Sequence, residues 1–138
     1  MMNMMSVKEH MQAQFPIIHP ETELSQAIEL LSEFNLIGAP VVDNNKRLVA
    51  YLSEHELLKP MLHASYHCDS SIKVSDVMRG EPLSVTGDTS LISLAEQMLG
   101  DKPKNYPVID DDERVTGIIT RTQVLRALAV AYNNCKAV

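Results

Sequence analysis

The chain has 138 residues, 45% of them hydrophobic and 22% charged, a length that suits one compact domain or two small coupled lobes and excludes two independent large domains. Its net charge of −6, from 18 acidic and 12 basic side chains, works against a phosphate backbone. With no Trp, two Phe and four Tyr there are few rings on which bases could stack, so nucleic acid is not expected as a partner.

A shift of 67 positions superposes the two halves without a gap. Val7, Met11, Thr22, Leu24, Glu29, Pro40, Val41, Asp43, Arg47 and Leu58 fall on Val74, Met78, Thr89, Leu91, Glu96, Pro107, Val108, Asp110, Arg114 and Leu125. Such identity at a fixed spacing marks an internal duplication. In chain order, the methionines at positions 1, 2, 4 and 5 read as a frayed terminus or an alternative start, with a partner patch as the other reading. The start MMNMMSVKEH has no signal-peptide pattern, and no apolar run approaches the roughly 20 residues of a membrane span. A cytoplasmic protein without membrane contact is expected.

After VKEHM, an extended stretch from Pro16 to His19 precedes a helix whose apolar positions Leu24, Ala27, Ile28, Leu31 and Phe34 recur at helical spacing, with Thr22 as the expected N-cap. APVVDNNKRLVAYL then reads as a hairpin with Asn/Asp turn chemistry. A second helix opens after Ser53 and carries Leu57, Leu58, Met61 and Leu62. HASYHCDSSIK is polar and aperiodic and reads as the connection between repeats. The second repeat follows the same order: VSDVM, an extended stretch from Pro82 to Thr86, and a helix with Leu91, Leu94, Ala95, Met98 and Leu99 that stops at Gly100. The hairpin YPVIDDDERVTGII comes next, and a last helix opens after Thr120 with Val124, Leu125, Leu128 and Ala129. The expected division is repeat 1 with its N-terminal segment at 1–64, a linker at 65–73, and repeat 2 with a C-terminal helix extension at 74–138. Neither repeat buries enough apolar surface alone. The expected fold is therefore α+β: two β-α-β-β-α repeats packed sheet to sheet about a pseudo-twofold axis, with two equivalent clefts.

VSDVM, YPVIDDDERVTGIIT and APVVDNNKRLVAYLS, in this order around an amphipathic helix, together resemble a tandem pair of cystathionine-beta-synthase (CBS) domains, a Bateman module, over nearly the whole chain. The resemblance implies a regulatory module rather than an enzyme. It would bind an adenosine-containing ligand (AMP, ADP, ATP or S-adenosylmethionine) in its inter-repeat clefts, form a homodimer, and signal to an unidentified protein effector, with no cofactor required. The alternative is a ligand-free scaffolding or dimerisation module acting only by protein contact. By the same resemblance, a hydroxyl opens the last helix of each repeat and an Asp three residues later holds the ribose. Ser53 and Thr120 keep the hydroxyl, but the Asp positions are Glu56 and Gln123. Glu56 still accepts two hydroxyl hydrogen bonds from farther back, whereas the Gln123 amide has no charge to strengthen them. Ile17, Ile18, Ala39 and Pro40 in the first repeat, and Ser84, Val85, Tyr106 and Pro107 in the second, would line adenine slots, Tyr106 by stacking or by filling. His55 and Arg121 are the candidate phosphate cations near the helix starts.

The same residues also read as S/T-x-x-E/Q capping boxes that serve only the helix. His63, His67, Cys68 and Asp69 have a spacing at which metal ligands can converge, yet no second ligand pair accompanies them and no metal site is expected. The acidic run Asp110 to Glu113 lacks the glycine and alternating oxygens of a calcium loop and reads as a solvated turn. No G-x-S-x-G, H-E-x-x-H or Walker sequence occurs, and Cys68 and Cys135 are expected as free thiols.

Overall fold

A computed structural model describes residues 5–68 and 71–136. It is mixed α+β, with two sheets and helices in both repeats. The first repeat holds α1 (Leu24–Glu33), β1 (Gly38–Val42), β2 (Leu48–Ser53) and α2 (Glu54–His67). A short helix α3 (Val74–Val77) leads into β3 (Val85–Thr86), α4 (Leu91–Met98), β4 (Asn105–Ile109), β5 (Val115–Thr120) and α5 (Arg121–Lys136). β1 and β2 form an antiparallel pair with Gly38 opposite Ser53, and the other sheet runs β3-β4-β5.

The early extended segments are shorter than the sequence suggests. Ile18 makes one parallel bridge to Val41, and its counterpart Val85 begins a two-residue parallel strand opposite Val108. Thr22 does not cap α1. The N-cap is Glu23, while the Thr22 hydroxyl accepts from His19 N at 3.0 Å and closes the preceding turn; Thr89 does the same for Thr86 N at 3.2 Å. The α1 stripe packs as expected through Leu24, Ala27 and Leu31, as does that of α4 through Leu91, Leu94 and Met98. Leu99 falls outside the stripe, because α4 ends at Met98 and leaves it 87% exposed. The hairpin turn uses Asp43 Oδ1 to accept from Asn45 N and Arg47 N, while the left-handed φ falls on Lys46 and its counterpart Glu113.

α2 runs further than its polar end suggests. Ser65, Tyr66 and His67 are helical, and the helix stops only where Cys68 turns left-handed at φ 52°. Once capped at Ser53, the helix propagates by one hydrogen bond per residue except at Pro60, which has no N–H, and needs no apolar stripe on turns that face solvent. Asp69 lies outside the described residues, as do Met1, Met2, Met4, Ala137 and Val138. Met5 is not frayed: it is buried, and its carbonyl accepts from Leu91 N at 2.8 Å.

Two compact units partition the chain, and each takes a segment from the other repeat. One comprises 1–13, 83–110 and 116–138; the other comprises 14–82 and 111–115. In the first, Met5 and Val7 join a core of Leu91, Leu94, Met98, Tyr106, Val108, Ile119, Val124 and Ala127. Gln12 and Ile118 exchange backbone hydrogen bonds at 2.8 and 2.9 Å, so the N-terminal arm lies along β5. Gly117 makes that approach possible, since a Cβ there would stand 2.8 Å from Gln12 O and 2.9 Å from Met11 Sδ. In the second unit the arm is α3. Leu24 N donates to Ile72 O, Val74 N to Thr22 O and Ser75 N to Pro20 O, with Val74 fully buried. The tip of the second hairpin joins this unit through an antiparallel bridge between Arg47 and Arg114.

Candidate functional site

The first-repeat residues meet where β1, β2 and the start of α2 converge. Pairing of Gly38 with Ser53, and donation from Glu54 N to Ile37 O at 2.8 Å, fix the helix N-terminus at the end of the hairpin. Ala39, Pro40 and Ile18 are buried there, and Ile17 is half exposed. Tyr51, absent from the expected set, shares a face of β2 with Ser53. Its ring and the Leu52 carbonyl leave no room for a side chain at Gly38, where a Cβ would meet Tyr51 Cε2 at 2.8 Å. A strand Gly opposite the cap residue, diagonal to an aromatic two residues before that cap, is the signal that could have found it.

Ser53 caps α2 by accepting from Glu56 N at 3.4 Å, and its hydroxyl donates to Glu56 Oε1 at 3.0 Å. The carboxylate thus engages the hydroxyl rather than the Ser53 backbone N–H, leaving this box half closed. Glu56 Oε2 faces Arg79 Nε at 3.8 Å. That guanidinium, which follows VSDVM, was missed by sequence reasoning; its neighbourhood to Glu56 depends on α3 packing beside α2. Glu56, Arg79, Lys59, Pro60, His63, Ile72, Asp76 and Val77 line a recess of about 620 Å3. His55 is not part of it. It lies on the other side of α2, on a groove of about 910 Å3 between α1 and α2 with Ile28, Ile37, Leu58 and Met61.

The second-repeat residues are arranged differently. Thr120 N donates to Gln123 Oε1 at 2.8 Å and Gln123 N to Thr120 Oγ1 at 3.3 Å, a closed reciprocal box. Gln123 Nε2 also donates to Gln12 Oε1 of the N-terminal arm at 3.4 Å. Tyr106 is 2% exposed and packs in the core, its hydroxyl without a hydrogen-bond partner among the described residues, and burial pushes its pKa above the ordinary phenol value. Pro107 is buried beside it, while Ser84 and Val85 are half-buried. Arg121 is exposed, with its backbone N–H donating to Lys104 O at 2.9 Å. Lys104 in turn binds the Met98 and Gly100 carbonyls at the end of α4.

Among the described residues no three His, Cys, Asp or Glu side chains are grouped to hold a metal, and no helix is long and apolar enough to cross a membrane. Cys68 and Cys135 are free and exposed.

Comparison with known proteins agrees with this architecture. The CBS domain family profile matches twice, at residues 7–63 and 74–130. The chloroplastic CBS domain-containing protein CBSX1 of Arabidopsis thaliana is 29% identical over 80% of this chain, which spans 58% of the CBSX1 length. The crystal structure of CBSX2 in complex with AMP is 31% identical, covers 92% of this chain and 98% of that one, and superposes with a TM-score of 0.78. The CBS domain pair of protein MJ0100, solved with 5-methylthioadenosine and S-adenosyl-L-methionine, shares the fold at a TM-score of 0.77 and 21% identity. Both halves of the chain, from the VKEHM and VSDVM arms to the capped last helices, therefore carry the same domain, and the chain belongs to the CBS domain family as a tandem pair.

Proposed function

We propose that this chain is a regulatory CBS pair that binds an adenosine-containing ligand, with AMP the first candidate, through its first repeat, while its second repeat serves structure. The observation that carries this reading is the Ser53–Glu56–Arg79 arrangement. One carboxylate oxygen accepts from the neighbouring Ser53 hydroxyl at 3.0 Å and the other faces an 85% exposed guanidinium at 3.8 Å. A ribose diol can donate to that carboxylate, with Ser53 turning its hydroxyl to the sugar, and Arg79 and Lys59 supply positive charge for a phosphate. The AMP complex of the 31% identical CBSX2 supports the choice of nucleotide. In the second repeat, Gln123 spends both sides of its amide on the helix cap and on Gln12, and Tyr106 occupies the core.

Signalling would pass to protein partners, including a second copy of the chain. Leu58 and Leu125, identical in the duplication, are 73% and 65% exposed on α2 and α5, and Leu62 is 70% exposed. Exposed leucines kept at the same place in both repeats suit a protein contact. The decisive experiment is a thermal-shift titration of ligand-stripped protein with AMP, ADP, ATP, S-adenosylmethionine and a guanine nucleotide. Ligand at 100 times its Kd should stabilise the fold by about 2.7 kcal/mol. A shift confined to adenosyl compounds and lost in Glu56→Ala supports the reading. No shift at millimolar concentration overturns it in favour of a scaffolding module.

A further inference from the structure

We propose that His63 and His67 form a two-imidazole site for a divalent transition metal on the exposed last turns of α2. The residues are four apart in Glu54–His67 and so project from one face, one turn apart. Both are exposed, their ring centroids lie 4.4 Å apart, and the ring planes are tilted by 46°. A metal–nitrogen bond of about 2.0–2.1 Å places an ion roughly 3.2 Å from each centroid, so with each ring turning a nitrogen to one ion at this separation the two bonds would meet close to a right angle. That is the cis angle of tetragonal and octahedral coordination, whereas a tetrahedral centre needs rings farther apart. The pair therefore fits a nitrogen-preferring ion of the Cu2+ or Ni2+ class, with copper bound tightest and water filling the remaining positions.

The surroundings favour a cation. The site lies at the helix C-terminus, where unpaired carbonyls carry partial negative charge. The Tyr66 ring stands 5.4 Å from that of His67. His63 borders the recess that also contains the carboxylates of Glu56 and Asp76, opposed there by Lys59 and Arg79. No third ligand converges among the described residues, so this is a chelating pair open to solvent rather than a closed structural centre. Cys68 follows His67 but turns off the helix in the left-handed conformation and is not assigned to the site. This inference does not rest on the proposed nucleotide binding, although His63 borders the recess assigned to the nucleotide.

The test uses the untagged full chain and Cu2+ held on iminodiacetate, which blocks the polydentate backbone binding of free Cu2+ while leaving cis positions open. Equilibrium dialysis should find one bound chelate. His63→Ala and His67→Ala should each weaken binding at least tenfold, while His55→Ala and Cys68→Ser stay within about twofold. Alanine has higher helix propensity than histidine, so the variants keep α2, which far-ultraviolet circular dichroism checks. Absence of binding, undiminished binding in the His63→Ala/His67→Ala double variant, or loss of binding in Cys68→Ser would each overturn the proposal.

Discussion

Glu56 and Gln123 occupy equivalent positions one repeat apart, and side chains of equal length that differ only in a carboxylate against an amide take different roles. Gln123 reaches the Thr120 backbone N–H at 2.8 Å and closes its box, so Gln123→Ala should cost about 1 kcal/mol in urea unfolding. AMP affinity should be unchanged by that substitution if the first repeat alone binds. Asp43 makes a second residue-scale prediction. Its carboxylate accepts from Arg47 N at 3.0 Å and Asn45 N at 2.8 Å, and these bonds hold its pKa below the ordinary 3.8. Because the folded value is the lower one, the stabilisation is present above the unfolded pKa and is lost as pH falls through the folded one. Asp43→Asn keeps an oxygen acceptor without the charge. The wild type should therefore lose more Tm than this variant between neutral pH and about pH 3; equal losses would show that the Asp43 charge contributes nothing to the turn.

At the scale of elements, periodicity located the buried faces of α1 and α4 because each buries one stripe at helical spacing, that of α4 against Tyr106, Val108 and Ile119 of its sheet. It served α2 and α5 less well. Val124, Ala127 and Leu57 are buried, but Leu58, Leu62 and Leu125 point outward, and a hydrophobic stripe by itself does not say whether its partner is the same chain or another. If those leucines mediate self-association, Leu58→Glu with Leu125→Glu should shift the sedimentation coefficient from dimer to monomer while leaving the circular dichroism spectrum intact. An unchanged coefficient would locate any self-association elsewhere. β5 carries a further expectation. The Cβ of any residue replacing Gly117 would collide with the Gln12 carbonyl, so Gly117→Val should displace the N-terminal arm and destabilise the chain by roughly 1–3 kcal/mol in urea unfolding.

At the scale of the whole molecule, each compact unit is completed by an arm that the sequence order assigns to the other repeat. Val7 is fully buried among residues of the second repeat, and Val74 among those of the first. Val7→Ala should therefore cost about 2 kcal/mol. Its effect should be local: amide exchange should quicken at Leu91, Leu94 and Ile119 before it does at Val41 and Ala50. Equal acceleration at all five would mean that the two units unfold as one.

What the sequence determined by itself was everything that repeats. Pairs such as Pro40 with Pro107, or Asp43 with Asp110, stand at a constant spacing, so the order of helices and hairpins, the hairpin turns and the family were legible without coordinates, and so were the two hydroxyls that open the last helices; the start of α1 was not, because Thr22 closes the preceding turn instead of capping the helix. The tertiary structure decided what depends on segments distant along the chain. Arg79 comes beside Glu56 because α3 packs beside α2, and Gly117 is needed because the N-terminal arm crosses β5. His55 and Glu56, adjacent in sequence, face different hollows because successive residues on a helix point roughly 100° apart. Local propensities and spacing set which elements form; which side chains meet is set by the packing that lets each arm bury its valine in the other repeat.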